Sequence, residues 1–479
     1  MQFQTSSLIP VLPEIYILSL ACLVLLVDLF LKDDNRIVTY IITQVGLLLA
    51  AFVTLGVGHG EAQIIFDGSY IRDNMSDVLK VAIYLVSSAA FVYSKDYLKD
   101  RGLFKGEYYV LGLFAVLGMM VMVSSYSFLT AYLGLELLSL SLYTMVAFDR
   151  DSKTGSEAAM KYFVLGAIAS GMLLYGISMI YGATGSIGFE AVSAALTGAS
   201  ANNTVLVFGL VFVVIGLAFK LGAVPFHMWM PDVYHGAPTP VAMFISSAPK
   251  IAAFALAMRL LVDGLGPLHA DWQGMLVVLA VLSMALGNVI AVAQTNIKRM
   301  LAYSTISHVG FIMLGLLAGT AEGYSAAMFY VIVYSITSLG GFGIIILLSR
   351  QGFEADQLDD YKGLHERSPW FACMMMLLMF SMAGVPPTVG FWAKLYVLDA
   401  VVSVDLVWLA LVGVFFSIIG AFYYIRIVKL MYFDKPEDTQ PLVAGMDTQM
   451  TLSVNGALML LLGLFPAGLL TLCASAIGN

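Results

Sequence analysis

Three lysines, a glutamate and a histidine stand in stretches of sequence that are otherwise apolar, and all five side chains can take up and release a proton. Lys220 lies in Gly216-Leu-Ala-Phe-Lys-Leu-Gly-Ala-Val-Pro-Phe-His227, Lys250 in Ser246-Ser-Ala-Pro-Lys250, and Lys394 in Ala383-Gly-Val-Pro-Pro-Thr-Val-Gly-Phe-Trp-Ala-Lys394. Each keeps company with proline. A proline has no backbone donor and crowds the carbonyl four residues back, so Pro225 leaves the carbonyl of Leu221 without its usual partner. Pro249 loosens the chain beside Lys250, and Pro386 and Pro387 interrupt it two turns before Lys394. Interrupted helices at membrane depth are where transporters place ion sites.

Glu136, in Leu133-Gly-Leu-Glu-Leu-Leu-Ser139, is the acid that falls mid-span and needs a cation or a proton. Lys220 is its candidate partner. Desolvation disfavours the ammonium and a nearby carboxylate favours it, so moving Glu136 toward or away from Lys220 switches the amine between holding and releasing a proton. The plainer reading has the pair locking two helices. For Lys220 the plainer reading is snorkelling to the interface, and for Lys161 snorkelling stands level with tuning the pair. His308, in Ser304-Thr-Ile-Ser-His308, lies between Lys250 and Lys394 along the chain and suits a relay between them, or a neutral ring bonded to the preceding turn. His227, Asp232 and His235 follow the Pro225 break, where water enters or where an ordinary loop runs. Lys80 and Arg259 are the other basic residues inside spans.

The elements that carry these groups must be helices in lipid. The chain has 479 residues, 60% hydrophobic and 11% charged, with a mean hydropathy of +0.91; soluble domains carry roughly 25% charged residues. Apolar runs long enough to cross roughly 30 Å of hydrocarbon recur throughout. They do not alternate in polarity as barrel strands do, and only helices satisfy the backbone in lipid. The expected fold is an all-α polytopic membrane protein of about fourteen transmembrane helices. The spans fall near 8–31, 37–57, 77–95, 108–125, 128–148, 157–182, 204–222, 241–263, 273–294, 301–319, 325–349, 369–387, 406–430 and 452–475. Spans seven and twelve are expected to be broken. Their five-span separation suggests two inverted five-helix repeats, spans 4–8 and 9–13, dividing one membrane domain into 1–107, 108–263, 273–433 and 452–479.

Lys and Arg in the loops sort to one side, with Arg72 alone on the other. By the positive-inside rule the rich side is the cytoplasm and both termini face away from it. The first apolar run lacks a basic leader and a cleavage site and reads as a retained span. Cys22, Cys373 and Cys473 lack the spacing of a zinc, haem or iron–sulfur site, and the net charge of −8 gives no support to nucleic-acid binding.

The segments around Lys220, together with Pro231-Asp-Val-Tyr-His-Gly-Ala-Pro238, Gln294-Thr-Asn-Ile-Lys-Arg-Met-Leu-Ala-Tyr-Ser-Thr-Ile-Ser-His308 and Gly390-Phe-Trp-Ala-Lys-Leu-Tyr396, resemble the antiporter-like membrane subunits of respiratory complex I over nearly the whole chain. Two departures set it apart from its siblings: Lys394 where one carries a glutamate, and an end at Asn479 without the lateral helix of another. The resemblance implies a proton-translocating subunit of a bacterial inner-membrane NADH:quinone oxidoreductase, multi-pass, with both termini periplasmic. It implies Glu136 and Lys220 as input pair, Lys250 as central relay and Lys394 as exit group, with Lys161 and His308 at assisting positions. It also implies that this chain binds no cofactor. NADH, flavin mononucleotide, iron–sulfur clusters and quinone would belong to other subunits, and its partners would be the other membrane subunits, lipid, protons and internal water. The competing readings are a subunit of a multi-subunit cation/proton antiporter and a non-transporting scaffold; the ammonium of Lys394 argues against a sodium site.

Overall fold

The structure, a computed structural model, describes residues 5–32, 35–57, 62–197, 204–437, 440, 442 and 445–478. Met1 and Asn479, whose side of the membrane the charge pattern addresses, lie outside the described residues. In chain order the elements are α1 (Leu12–Asp28), α2 (Ile37–Gly56), a hairpin of β1 (Gln63–Ile65) and β2 (Tyr70–Arg72), α3 (Asn74–Asp100), α4 (Gly106–Val123), α5 (Phe128–Val146), α6 (Lys153–Thr184), α7 (Phe189–Thr197), α8 (Thr204–Leu221), α9 (Trp229–Gly236), α10 (Thr239–Ser246) and α11 (Ala248–Ala257). A π-helical turn, Met258–Gly264, completes that span. Then follow α12 (His269–Val292), α13 (Ile297–Leu317), α14 (Ala321–Leu348), the single turn α15 (Leu364–Arg367), α16 (Pro369–Ala383), α17 (Val389–Ser403), α18 (Val407–Phe433), α19 (Met446–Leu464) and α20 (Ala467–Ile477).

The helices start where the sequence supplies caps. Asp73 accepts from the Ser76 amide to open α3, Ser127 from Thr130 to open α5, Ser152 from Gly155 to open α6, and Asn296 from Arg299 to open α13. In lipid such capping matters more, because free amides there have no water to turn to.

Twelve helices among the described residues are long and apolar enough to cross a membrane, or thirteen if α19 and α20, bent by 81°, form one span. The expected twelfth span accounts for the remaining difference from fourteen. It is α16 alone, whose 15 residues make it about 22 Å long and short of a full crossing. The expected seventh span is α8, and both expected breaks are present, at the ends of α8 and α16. The hairpin β1–β2 and helices α7, α9 and α17 had no counterpart among the expected spans.

The polar residues sit at the centre of the bundle. The span Thr239–Gly264 is wholly buried, and α13 and α14 nearly so, whereas α1, α2, α6 and α18 present most of their surface outward. Lys250 and His308 therefore lie on the helices furthest from lipid, the place where an ionisable side chain costs least. At the opposite edge, Arg259 donates to Asp73, to Asp263 and to the carbonyl of Val123, tying the end of the Lys250 span to α3 and α4. Lys80 is fully buried against Glu14 at 2.7 Å and donates to the Tyr70 hydroxyl, which fixes α1, α3 and the hairpin together.

Candidate proton-transfer site

Helix α8 ends because Gly222 turns the chain into the left-handed region (φ +83°), where a side chain is strained. The amides of Gly222 and Ala223 both return to the carbonyl of Ala218. The carbonyl of Leu221 is left over, since its donor would be the nitrogen of Pro225. Lys250 fills the gap: its Nζ donates to the Leu221 oxygen at 2.8 Å, beneath the ring of Trp229. The second half of the chain repeats the arrangement. Gly384 turns at the same φ of +83°, Gly384 and Val385 both donate to the carbonyl of Phe380, and the nitrogen that would serve Ala383 belongs to Pro387. Lys394 Nζ donates to the Ala383 oxygen at 2.8 Å and to Ser417 Oγ at 2.8 Å. Two buried amines thus each sit at the C-terminal, negative end of a helix, on a carbonyl that a proline has freed.

Lys220 and Glu136 face one small cavity with Ser139, Tyr143, Ser170 and Trp229. They do not close an ion pair. Lys220 Nζ donates to Ser139 Oγ at 3.0 Å, and the Glu136 carboxylate accepts from the Ser170 hydroxyl. Ser139 lies one turn along α5 from Glu136 and itself donates to the carbonyl of Leu135, so a hydroxyl stands between acid and amine. The cavity has about 20 Å³ of room for water centres, space for about one water. The expected partnership is therefore a shared cavity, with the charges held apart.

His308 is bonded at both ring nitrogens, Nδ1 to Tyr330 at 2.7 Å and Nε2 to Tyr424 at 3.0 Å. With Tyr330, Tyr334, Ser381 and Lys394 it lines a second gap of about 10 Å³. The ring does not bond to the preceding turn; its partners come from α14 and α18.

Lys161 is brought elsewhere. Its amine pairs with Asp232 at 2.7 Å and Glu157 at 2.8 Å, and Arg299 holds the other oxygen of Asp232 at 2.8 Å. Nine residues separate it from Ser170, which meets Glu136; that is about 13 Å along α6, beyond direct contact. Burial works to raise the Asp232 carboxyl, and the hydrogen bonds and charges of Lys161 and Arg299 outweigh it, holding it below the usual carboxylate range. His235 lines a polar cavity of about 240 Å³ with Tyr97, Arg101, Lys298, Glu354 and Asp356, on the side of the Lys- and Arg-rich loops. His227, half-buried, packs toward Tyr303. Ser139, Ser170, Ser417, Tyr330 and Tyr424 were not singled out in the sequence. Ser139 carried a signal, since it falls at helical spacing from Glu136.

The result is a bundle of helices broken in both halves, with an amine docked on the freed carbonyl at each break. The family model described as NADH:quinone oxidoreductase/Mrp antiporter matches residues 125–420, a stretch that contains Glu136, Lys161, Lys220, Lys250, His308 and Lys394 and excludes Tyr424, Glu14 and Lys80. The chain is 63% identical over 478 residues to NADH-quinone oxidoreductase subunit N of Thioalkalivibrio sulfidiphilus, with 100% of both chains covered. Its fold matches a chain in respiratory complex I from Thermus thermophilus with a TM-score of 0.82 at 30% identity, covering 96% of this chain and 99% of that one. A chain of the Mrp complex from Dietzia sp. shares the fold with a TM-score of 0.84 at 21% identity, covering 100% and 98%. The chain belongs to the NADH-quinone oxidoreductase subunit N family.

Proposed function

We propose that this chain carries protons across the membrane within an NADH:quinone oxidoreductase, and that the protons pass along Glu136, Lys220, Lys250, His308 and Lys394. The observation that carries the reading is the docking of Lys250 and Lys394 on the carbonyls of Leu221 and Ala383. An amine at a helix C-terminus, dry and without a carboxylate, is poised between charged and neutral states: burial favours the neutral form and the helix end favours the charged one. Glu136 and Lys220, separated by Ser139, supply the charge whose approach or withdrawal shifts that balance. Lys161, paired with Asp232 and Arg299, assists at the edge of the first half and outside the line itself.

In this reading the redox chemistry, with NADH, flavin, iron–sulfur clusters and quinone, belongs to partner subunits, and both termini face the periplasm. The like-built breaks at Leu221 and Ala383 support the inverted-repeat division into 108–263 and 273–433. The antiporter alternative meets an obstacle at Lys394, where an ammonium occupies the oxygens that a sodium ion would need.

The test is Glu136→Ala and Lys220→Ala in the assembled complex, reconstituted in vesicles. Both should lower proton pumping and coupled quinone reduction at normal assembly. Pumping at the wild-type rate from the assembled double variant would sink the proposal, and sodium-dependent pumping would favour the antiporter reading.

A further inference from the structure

The imidazole of His308 is held between two phenols, and the line continues at both ends. Tyr424, on α18, meets Ser304, one turn before His308 on α13, and its hydroxyl reaches Nε2. Tyr330, on α14, reaches Nδ1 and lines the gap shared with Lys394. Three different helices therefore deliver four proton-carrying groups in sequence: Ser304, Tyr424, His308 and Tyr330. All four sit among fully packed neighbours; Tyr330 and His308 are 2% and 6% exposed.

We propose that Tyr424, His308 and Tyr330 form a proton relay that reaches Lys394, in which the two phenols are transfer groups. The inference rests on the proton-path reading above and adds the residues that hand the proton on. A neutral imidazole has one N–H and one bare nitrogen, while a phenol can donate and accept at the same oxygen. With Nε2 bare, a proton arriving at the Tyr424 oxygen from the Ser304 side releases the phenol's own proton to Nε2. The Nδ1 proton then passes to the Tyr330 oxygen, whose proton crosses the gap to the neutral amine of Lys394. One proton enters at Tyr424 and one leaves to Lys394; each phenol oxygen has gained one and lost one, while Nε2 has gained a proton and Nδ1 has lost one. The imidazole is left as the other tautomer.

The two phenols suit either tautomer of the ring. Each can donate to a bare nitrogen or accept from an N–H, so both ring nitrogens keep a partner before and after the transfer. A carboxylate or a backbone carbonyl on one side would accept only and would fix a single tautomer. The Tyr334 ring, 5.1 Å away and tilted, packs on the imidazole while its hydroxyl donates to Thr305.

The test compares Tyr330→Phe, Tyr424→Phe, the double variant and His308→Gln with Lys220→Ala, in the assembled complex in vesicles, reading pumping and quinone reduction per assembled complex. Each Phe variant removes one oxygen from a packed ring and should slow pumping at least fivefold. The double variant should be no slower than the slower single variant, because one gap already interrupts a series. His308→Gln keeps a donor and an acceptor but cannot take a proton at one atom and release one from the other, and it should lose pumping at normal assembly. Three results overturn the relay: wild-type pumping in either Phe variant, wild-type pumping in His308→Gln, or losses that multiply in the double variant. If Lys220→Ala loses pumping while the Phe variants keep it, the relay fails and the proton path stands. If Lys220→Ala pumps normally, the path fails and the relay with it.

Discussion

Gly384 and Gly222 hold the same backbone turn beside two different lysines, and replacing each by alanine separates strain from proton transfer. Both lie at φ +83°, so an alanine at either place pays the left-handed penalty of about 1–2 kcal/mol. Their surroundings differ. A methyl on Gly222 would meet the flexible tip of Met230, with Lys250 Nζ 3.9 Å away in ordinary contact. On Gly384 the methyl would lie 2.8 Å from Cδ of Lys394 and 3.4 Å from its Nζ, closer to Cδ than packed carbons sit. The stem of Lys394 must then shift, which pulls its amine against the bond to the Ala383 carbonyl. A hydrogen bond to a charged donor is worth about 1.5–3 kcal/mol, which corresponds to a roughly 10- to 150-fold lower occupancy of the docked position. We expect both variants to lower the thermal inactivation midpoint of the solubilised complex to a similar extent. Gly384→Ala should in addition cut pumping at least tenfold, while Gly222→Ala keeps most of it. Equal pumping by the two assembled variants, or a greater loss in Gly222→Ala, would refute the idea that the docked position of Lys394 matters to transfer.

Lys250→Met and Lys250→Gln should both stop pumping, but Met leaves the Leu221 carbonyl buried and unpartnered, at a cost of about 1–3 kcal/mol, whereas Gln can still reach it; a lower thermal midpoint for Met than for Gln is the expected result, and the reverse order would remove the carbonyl from the explanation. Asp232→Asn should weaken the bridge between α6 and α13 by about 1 kcal/mol at this exposure. Because Asp232 titrates below its ordinary value of about 3.9, its contribution is complete above that pH and fades only as pH falls through the lower folded value. The deficit of Asp232→Asn should therefore be the same at pH 5.5 and pH 8, and a deficit that shrinks toward pH 5.5 would contradict the depressed carboxyl.

Much of this site could be read in the sequence, because its chemistry depends on exceptions to an apolar background. Proline spacing located the freed Leu221 carbonyl, and the lone acid in α5 pointed to the cavity it shares with Lys220. What could not be read is which atom meets which. Pro387 frees Ala383 by the same rule as Pro225 frees Leu221, yet nothing local says that a lysine eleven residues further on, or one from the next span, fills the place. Lys161 illustrates the converse. Its position along the chain allowed a role beside Glu136, but the rise of α6 carries it about 13 Å away, to Asp232. Serines and tyrosines in apolar helices look like packing until tertiary contacts select them, so apart from Ser139, one turn from Glu136, the hydroxyls of the site were silent. The break at the end of the twelfth span was legible in Pro386 and Pro387, but α17 beyond it was not drawn, because 15 residues are too few to cross lipid alone.

The carbonyl slots of Leu221 and Ala383 have one further property. An ammonium offers three hydrogens and a neutral amine still offers two, so Lys250 and Lys394 can remain bonded to their carbonyls whether or not they carry the extra proton. The bond at each break therefore survives a change of charge, even though the helix end favours the ammonium, and the breaks can be rigid parts in a machine that cycles electrically. Lys220, whose bonded partner is a single rotatable hydroxyl, has no such anchor. Mechanical movement in this subunit is best sought at the first amine of the line, with the later two serving as fixed stations.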